Sequence, residues 1–310
     1  MDKLSVILPA YNERGNIARA AERVPAVLEQ AGIPFELIFV NDGSSDGTWE
    51  AICEAARADG RVRGVCFSRN FGKEAALFAG LREAAGDCCV TIDCDLQHPP
   101  EYIPEMYRMW KEGYEVVEAV KADRGKENPV YRFCARCFYG LISKASGIDM
   151  EKSSDFKLLD RKVVEALLDM PERNTFYRAL SFWVGFRTVE MPFEVEARTE
   201  GDSKWSLSSL VKYALNNITS FSAAPMQIVT VLGLVTLLIS AVMGVQTLVK
   251  KLLGHALEGF TTVIIVQLFI GGVVMMSLGI IGHYIAKIYE EIKHRPRYIV
   301  SERCGGPEEK

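Results

Sequence analysis

Residues 88–100 read Cys88-Cys-Val-Thr-Ile-Asp-Cys-Asp-Leu-Gln-His-Pro-Pro100 and give the strongest single indication of the fold. The largely apolar run Cys88–Ile92 predicts a short buried strand. Asp93 and Asp95 follow it directly, and two aspartates at i and i+2 past a strand can turn toward a common point. Hard divalent cations prefer such oxygen ligands, and the amide of Gln97 offers another. The stretch therefore predicts a strand that ends in a metal site.

Acidic side chains also follow two earlier strands. Leu4–Leu8 leads into Pro9-Ala-Tyr-Asn-Glu13, and Phe35–Asn41 leads into Asp42-Gly-Ser-Ser-Asp-Gly-Thr48. Strands that alternate with helices predict an α/β fold, Rossmann-like with a mostly parallel sheet, whose ligands bind beyond the carboxyl ends of the strands. None of these strand ends carries G-x-G-x-x-G or a P-loop, which disfavours a dinucleotide dehydrogenase and an NTPase. The other predicted strands and helices are Arg61–Phe67, Glu115–Val120, Glu13–Gln30, Thr48–Ala58 and Lys73–Ala85.

The composition narrows the class of protein further. The chain has 310 residues, of which 49% are hydrophobic, and its net charge of -4 argues against nucleic acid as a partner. The eight cysteines suggest no disulfide framework, because the N-terminus lacks the apolar run of a signal peptide. Cys134-Ala-Arg-Cys137 is a lone CxxC without the second pair that a zinc site needs. We therefore expect reduced cytosolic thiols.

Two apolar segments near the C-terminus predict membrane helices. Met226–Val249 and Thr261–Gly282 contain no charged residue, and each is longer than the ~20 residues that cross the hydrocarbon core. The alternative, a pair of buried core helices, is disfavoured because such helices seldom lack a polar face. Lysine and arginine are more numerous outside the hairpin than in the connector Lys250–Phe260. The positive-inside rule therefore predicts that both termini are cytoplasmic.

The segment before the hairpin is amphipathic. Trp205–Phe221 has apolar residues at helical spacing, and the only charges in and next to it are Lys204 and Lys212. This pattern favours an interfacial helix on an anionic leaflet over a helix packed in a core. The predicted organisation is a cytoplasmic α/β domain at 1–202, an amphipathic juxtamembrane helix at 203–222, two membrane helices within 223–290 and a cytoplasmic tail at 291–310.

Several motifs in combination resemble family 2 glycosyltransferases. The resemblance is to the polyprenyl-phosphate glycosyltransferases, which include dolichyl-phosphate mannose synthases and bactoprenol glucosyltransferases, and the two apolar segments extend it. The motifs that carry it are Pro9-Ala-Tyr-Asn-Glu13, Asn41-Asp-Gly-Ser-Ser-Asp-Gly-Thr48, Arg69-Asn-Phe-Gly-Lys-Glu74, Asp93-Cys-Asp-Leu-Gln-His-Pro-Pro100, Ser153-Ser-Asp-Phe156 and Arg198-x-x-Gly201-x-Ser203-Lys-Trp205.

The resemblance implies a GT-A fold and transfer of a sugar from a nucleotide-sugar to a polyprenyl phosphate such as undecaprenyl phosphate, with Mg²⁺ or Mn²⁺ as cofactor. For the nucleotide-sugar it implies Pro9, Tyr11, Glu13, Asp42, Lys73 and Asp93. For the metal it implies Asp93, Asp95 and Gln97. The catalytic residues it implies are Asp155 and Asp95. The candidates for the acceptor phosphate are Arg124, Lys126, Arg132, Arg198 and Lys204, and Cys94 departs from the alanine that is frequent in the family.

The chemistry of the acceptor limits what Asp155 has to do. A lipid phosphate is mostly dianionic at pH 7, because its second pKa is near 6, so it depends less on a strong base than a sugar hydroxyl does. Two roles therefore stay open for Asp155: it could orient a hydroxyl of the donor, or it could stabilise an oxocarbenium-like centre. Direct displacement by phosphate predicts inversion at the anomeric carbon. The stretch Asn70-Phe-Gly-Lys-Glu-Ala-Ala76 resembles that of the bacterial glucosyl-transferring members, which implies UDP-glucose as donor, with a GDP-sugar as the alternative.

Two other functions stay open at this point. A polysaccharide synthase shares the acidic motifs but is expected to carry Gln-x-x-Arg-Trp, and Asn174–Trp183 has Arg178 and Trp183 at another spacing. A non-catalytic membrane protein that binds nucleotide-sugars predicts donor binding without turnover. We further expect a homo-oligomer in the inner (plasma) membrane, with no nucleic-acid partner.

Overall fold

The computed structural model describes residues 2–121, 154–172, 176–193, 224–253 and 259–306. The chain divides into two units, one of 1–205 with 296–310 and one of 206–295. The described strands, all in the first unit, are β1 (Leu4–Ala10), β2 (Phe35–Asn41), β3 (Val62–Phe67), β4 (Cys88–Thr91), β5 (Val116–Lys121), β6 (Lys157–Asp160), β7 (Thr188–Phe193) and β8 (Val300–Cys304). Its described helices are α1 (Arg14–Gln30), α2 (Thr48–Ala58), α3 (Lys73–Glu83), α4 (Ile103–Lys111), α5 (Arg161–Asp169) and α6 (Tyr177–Trp183), with a 3₁₀ turn at Pro100–Tyr102.

All eight strands form one sheet in the order β7-β5-β6-β4-β1-β2-β3-β8. β1 runs parallel to β2 and β4, β2 parallel to β3, and β5 parallel to β7, while β6 lies antiparallel between β4 and β5. The predicted Rossmann-like, mostly parallel sheet is therefore confirmed. Because the chain moves outward from β1 in both directions, a crevice opens between the ends of β1 and β4, where such folds bind ligands.

The five strands and three helices predicted from hydropathy lie where they were expected, with ends that differ by at most two residues. The strands at the centre of the sheet are almost wholly buried, and every residue of β2 is buried. Helices cover both faces of such a sheet, so its strands read as continuous apolar runs. This is the pattern that made β1, β2 and β4 predictable.

Helix α3 packs unusually close to the sheet. Seven successive residues, Ala75–Leu81, are buried. A Cβ at Gly80 would lie 2.2 Å from Cγ2 of Ile7 in β1, so only glycine allows this approach. The first residue of α3 is Lys73, and the contact at Gly80 fixes where that residue stands relative to the strand ends.

The edge of the sheet is closed by a strand that sequence analysis missed. β8, within the stretch predicted as a tail, pairs antiparallel with β3 from Gly64 to Phe67. Nε1 of Trp49 in α2 donates to the Glu302 carboxylate at 2.8 Å, and the Tyr298 ring stacks on Phe67 with centroids 4.9 Å apart. An uncovered β3 would expose unpaired backbone groups. The residues that follow the second apolar segment are therefore part of the α/β unit.

The second unit contains two long apolar helices. They are α7 (Ala224–Leu252) and α8 (Phe260–Ile292). Within them, Val229–Lys250 and Val263–Ile292 are long and apolar enough to cross a membrane, and none of their most apolar stretch is buried in protein. The segments predicted as membrane helices are thus helical. The predicted interfacial helix Trp205–Phe221 lies outside the described residues.

Removal of β8 tests its contribution to the sheet. A chain that ends at Tyr298 loses four paired positions on β3, which should cost about 2 kcal/mol or more at about 1 kcal/mol per hydrogen bond. For a domain of this size, that corresponds to a fall of about 4–8 °C in Tm. Thermal unfolding in detergent measures it, with a chain that ends at Gly306 as the control. An unchanged Tm in the shorter chain would show that β8 contributes nothing to the stability of the sheet.

Candidate active site

A cavity of about 290 Å³ opens at the carboxyl ends of β1, β2 and β4. Four chain segments line it: the end of β1, the residue after β2, the start of α3 and the turn after β4. Its lining residues are Pro9, Ala10, Tyr11, Glu13, Asp42, Asn70, Gly72, Lys73, Ala76, Asp93, Cys94 and Asp95. The structure therefore brings together all the residues that the resemblance implied for the nucleotide-sugar, and two of the three implied for the metal.

Asp42 fixes one wall of this cavity. Its carboxylate is buried and accepts the backbone N–H groups of Phe71 at 2.6 Å and Gly72 at 2.9 Å. Burial raises the pKa of Asp42, and the two N–H donors oppose that rise. The neighbouring Gly43 has a φ of +64°, and a Cβ there would lie 2.4 Å from the carbonyl carbon of Arg69. Asp42 and Gly43 thus hold the loop that leads into α3.

The turn after β4 presents alternate residues to solvent. Cys94, Leu96 and His98 are buried, whereas Asp93 and Asp95 are accessible and line the cavity. Leu96 adopts a left-handed φ of 53°, and Oδ1 of Asp95 accepts the backbone N–H of Gln97 at 3.1 Å, which tightens the turn. The alternation aims both carboxylates at one space.

The donor set of this turn suits a hard divalent cation. Asp93 and Asp95 supply carboxylate oxygens on the same cavity, whereas the third residue implied for the metal, Gln97, does not line it. Among the residues that the structure describes, no group of three or more His, Cys, Asp or Glu side chains is arranged to hold an ion. Mg²⁺ usually takes only one or two carboxylates and completes its shell with water and phosphate oxygens. Two aspartates at an open cavity fit that mode of binding.

Lys73 connects two of the carboxylates. Its Nζ lies 2.6 Å from Oδ1 of Asp93 and 2.8 Å from Oδ2 of Asp155, while the side chain keeps 42% of its exposure. Burial opposes the charge of the ammonium, but the two carboxylates outweigh it and raise the pKa of Lys73. The lysine is therefore cationic at neutral pH and still accessible from the cavity.

Asp155 lies behind Lys73, just before β6, and does not itself line the cavity. Arg178 of α6 donates two hydrogen bonds to the Asp155 carboxylate, from Nε to Oδ1 at 2.6 Å and from a terminal nitrogen to Oδ2 at 2.9 Å. Burial disfavours the anion, but Lys73 and Arg178 outweigh it and hold the pKa of Asp155 well below its usual range. Asp155 is consequently an anion at any physiological pH.

Glu74 is a second carboxyl in this network and is partly buried. One of its oxygens accepts the backbone N–H of Tyr177 at 2.7 Å. Burial and repulsion from Asp155 raise the pKa of Glu74 to about 7. Sequence analysis quoted Glu74 within a motif without assigning it a role, because nothing local indicates that it faces α6.

His98 is a packing residue in this structure. Its ring is buried, stacks on Phe156 with centroids 5.3 Å apart and meets Phe193 edge-on at 5.4 Å. Its Nδ1 lies 3.8 Å from a carboxylate oxygen of Asp93. His98 therefore packs against Phe156 and Phe193 and supports the acidic turn through these contacts.

The candidates for the acceptor phosphate lie outside the described residues. They are Arg124, Lys126, Arg132, Arg198 and Lys204. No local pattern placed Arg178 at the site, because it entered only in the comparison with the Gln-x-x-Arg-Trp motif, which Asn174–Trp183 does not match. Arg178 and Asp155 are 23 residues apart in the sequence. Only information on long-range contacts could therefore have identified Arg178 as a site residue.

Comparison with known proteins decides the family. The family model "Glycosyl transferase family 2" matches residues 5–168, which include the acidic strand ends and Asp155. The chain belongs to this family. A prophage bactoprenol glucosyl transferase homolog of Escherichia coli is 38% identical over 300 residues, covering 96% of this chain and 98% of its own. A glycosyltransferase of Synechocystis sp. is 40% identical over 305 residues, covering 98% and 96%. This family 2 chain is thus a glycosyltransferase, and the resemblance seen in its motifs is confirmed.

Solved structures support the fold. Glucosyl-3-phosphoglycerate synthase from Mycobacterium tuberculosis, in complex with Mn²⁺, UDP and phosphoglyceric acid, matches with a TM-score of 0.54 at 22% identity, covering 70% of this chain and 76% of that one. The same enzyme with Mg²⁺ and UDP also has a TM-score of 0.54, at 21% identity and with coverage of 71% and 79%. The family 2 domain therefore has the expected GT-A fold.

The raised pKa of Glu74 predicts a pH-dependent stability. A carboxyl whose pKa rises from 4.5 to about 7 on folding binds more protons in the folded state. The free energy of unfolding should therefore fall as the pH rises from about 4.5 to 7, by at most about 1.4 kcal/mol per pH unit. Glu74→Gln keeps the acceptor for Tyr177 but cannot titrate, so its stability relative to wild type should grow over this range.

Thermal unfolding of the full chain at pH 5 and pH 7.5 measures this difference. Glu22→Gln, at an exposed position of α1, is the control and should track the wild type at both pH values. A difference in Tm between Glu74→Gln and wild type that is the same at both pH values would contradict the raised pKa.

Proposed function

We propose that this family 2 chain is a membrane-bound, inverting glycosyltransferase that moves a sugar from a nucleotide-sugar to a polyprenyl phosphate such as undecaprenyl phosphate. Glucose from UDP-glucose is the donor that we favour. The observation that carries the proposal is a cavity at the strand ends that is lined by Asp93, Asp95 and Lys73. The Lys73 ammonium there contacts both Asp93 and Asp155. The bactoprenol glucosyl transferases of Shigella phages, 38% identical over nearly the whole chain, support the choice of sugar and acceptor.

The cavity has the features that a nucleoside diphosphate requires. Tyr11 is half exposed at the wall of the cavity and offers an aromatic face to a base. The start of α3 also lines the cavity, so that the positive end of the helix dipole and the Lys73 ammonium are both at the cavity. Helix N-termini and lysine side chains bind phosphate groups in this way. These residues support binding of the donor through its diphosphate.

Asp93 and Asp95 would hold a divalent cation, Mg²⁺ or Mn²⁺. When bound, such an ion supplies Lewis-acid neutralisation of the negative charge that develops on the departing nucleoside diphosphate. Lys73 contributes a second positive charge beside Asp93. Because Lys73 also contacts Asp155, it can leave one carboxylate without leaving the other.

Asp155 acts in this proposal as a fixed anion. With two cations on its oxygens, the Asp155 carboxylate is a weak proton acceptor, which fits a phosphate nucleophile that needs little deprotonation. An anion near the reacting centre stabilises positive charge that develops on the sugar in the transition state. Of the two roles left open by the sequence, electrostatic stabilisation therefore has the better support. It places no covalent intermediate on the protein.

The order of the elements supports a membrane hairpin with both ends on one side. The α/β unit comprises 1–205 and 296–310, and the two apolar helices lie in the segment between them. Since both flanks of that segment belong to one folded unit, an even number of crossings is needed. With lysine and arginine concentrated in the flanks, we place the α/β domain and both termini in the cytoplasm, at the plasma membrane. That the chain forms a homo-oligomer stays a prediction.

A panel of radiolabelled donors tests the proposal. The full chain in liposomes that contain undecaprenyl phosphate, with Mn²⁺, should transfer one sugar to the lipid from UDP-glucose and less from other UDP- and GDP-sugars. A polymeric product would favour a polysaccharide synthase. Binding of donor without transfer to any lipid phosphate would favour a non-catalytic role and contradict the proposal.

Asp95→Asn tests the assignment of the cation. The substitution removes one carboxylate charge at nearly constant volume, so turnover should fall by two orders of magnitude or more, on the scale typical of lost transition-state charge stabilisation, while Tm stays near that of wild type. Asp169→Asn, at an exposed position of α5, is the matched control and should remain fully active. Activity of Asp95→Asn close to wild type in saturating Mn²⁺ would overturn the assignment.

The stereochemistry of the product is a separate prediction. Direct attack by the lipid phosphate on an α-linked donor should give a β-linked sugar phosphate, because a single displacement inverts the configuration at the anomeric carbon. Coupling constants of the anomeric proton in NMR spectra of the purified lipid measure it. An α-linked product would mean that the reaction retains configuration.

A further inference from the structure

Arg178 and Asp155 form the best-defined charged contact of the site. The guanidinium makes two hydrogen bonds of 2.6 and 2.9 Å to the two oxygens of one carboxylate, and the side chains are 30% and 11% exposed. A bidentate pair of this kind fixes the plane of the carboxylate as well as its position. Lys73 cannot do so alone, because its ammonium is a single point that also serves Asp93.

The first residue of α6 is tied to the same part of the sheet. The Tyr177 side chain is fully buried, its hydroxyl lies 3.1 Å from Oγ1 of Thr91 in β4, and its backbone N–H donates to Glu74 in α3. Thr91 in turn donates to the carbonyl oxygen of Asp155. The start of α6 and the backbone of Asp155 are therefore held by one set of contacts.

A buried ion pair supports the next turn of α6. Lys157 in β6 is 1% exposed, and its Nζ lies 3.1 Å from a carboxylate oxygen of Glu118 in β5. The same Nζ donates to Oγ of Ser181 at 2.8 Å, and that hydroxyl donates to the carbonyl oxygen of Arg178 at 3.0 Å. A buried lysine is costly unless it is paired and hydrogen-bonded. Here its second partner, Ser181, belongs to the helix that carries Arg178.

We propose that Arg178 is the positioning residue for Asp155, and that the Glu118–Lys157 pair keeps Arg178 in place through Ser181. Arg178 sets the direction of the Asp155 carboxylate, whose negative charge stabilises the reacting sugar. The inference rests on the proposed function, since it takes glycosyl transfer as the reaction that Asp155 serves. It assigns a role to α6, which comes after the segment matched by the family model.

The proposal requires the shape of the guanidinium and not only its charge. Lysine at position 178 keeps a cation but loses the two-point contact, so Asp155 can rotate and shift. A displacement of about 1 Å at a reacting group costs on the order of 10²-fold in rate. Binding of the nucleotide should not change, because the cavity that receives it is lined by other residues.

The test compares Arg178→Lys, Arg178→Ala and Arg23→Lys in the full chain. Arg23 is the matched control, since it makes the same two-point contact to Glu101, at 2.9 Å on both sides, with 28% exposure of its side chain. The readouts are kcat and KM for UDP-glucose in liposomes with undecaprenyl phosphate. Calorimetric titration with UDP gives the affinity and the fraction of folded, binding-competent protein in each preparation.

Arg178→Lys should lower kcat by at least tenfold, with KM and UDP affinity within threefold of wild type and full stoichiometry, while Arg23→Lys behaves as wild type. Guanidinium ion, added at concentrations that leave the control unaffected, should restore part of the activity of Arg178→Ala, which a purely structural role would not allow. Ser181→Ala should also lower kcat, by a smaller factor than Arg178→Lys does.

The outcomes separate this inference from the function on which it rests. A wild-type rate in Arg178→Lys, or a loss of rate that matches a loss of binding-competent protein, would overturn the positioning role while transfer by the wild type still stands. Absence of transfer by the wild type with every donor would overturn the proposed function and the inference with it.

Discussion

The ammonium of Lys73, held between Asp93 and Asp155, is the contact on which the site depends. Asp93 and Asp155 contact the same ammonium, and Glu74 is repelled by Asp155, so like charges gathered in this way disfavour folding. Lys73 and Arg178 supply the positive charge that makes the arrangement tolerable. The same repulsion acts on Glu74, whose pKa rises to about 7 because burial and Asp155 both oppose its ionisation.

The fold provides this contact through close packing. Gly80 lets α3 approach β1, which sets Lys73 at the mouth of the crevice between β1 and β4. The antiparallel insertion of β6 between β4 and β5 then brings Asp155 to the other side of the same ammonium. Lys73 is the first residue of a helix, and Asp155 is held by Lys73 and Arg178, so these charges are preorganised before any substrate binds. Stabilisation of the transition state by preorganised charge is the largest single contribution to the rate enhancement of many enzymes.

Local features of the sequence predicted about half of the site. Asp93 and Asp95 follow a buried strand directly, and Asp42 and Glu13 follow two others, so hydropathy and spacing place them at one sheet edge. The pairing of Lys73 with Asp155 spans 82 residues, and no local pattern reports it.

β8 was missed for another reason. Its middle residues, Ser301, Glu302 and Arg303, are exposed and polar, so it lacks the apolar signature by which the central strands were recognised.

The location of the cation in the full chain tests the central claim most directly. Crystals grown with Mn²⁺ and UDP, measured near the manganese absorption edge, would locate the ion by its anomalous scattering. We expect a peak within coordination distance of the Asp93 and Asp95 carboxylates, with Lys73 released from Asp93 and with Arg178 still paired to Asp155. A peak elsewhere, or UDP bound in the cavity without a peak beside these aspartates, would contradict it.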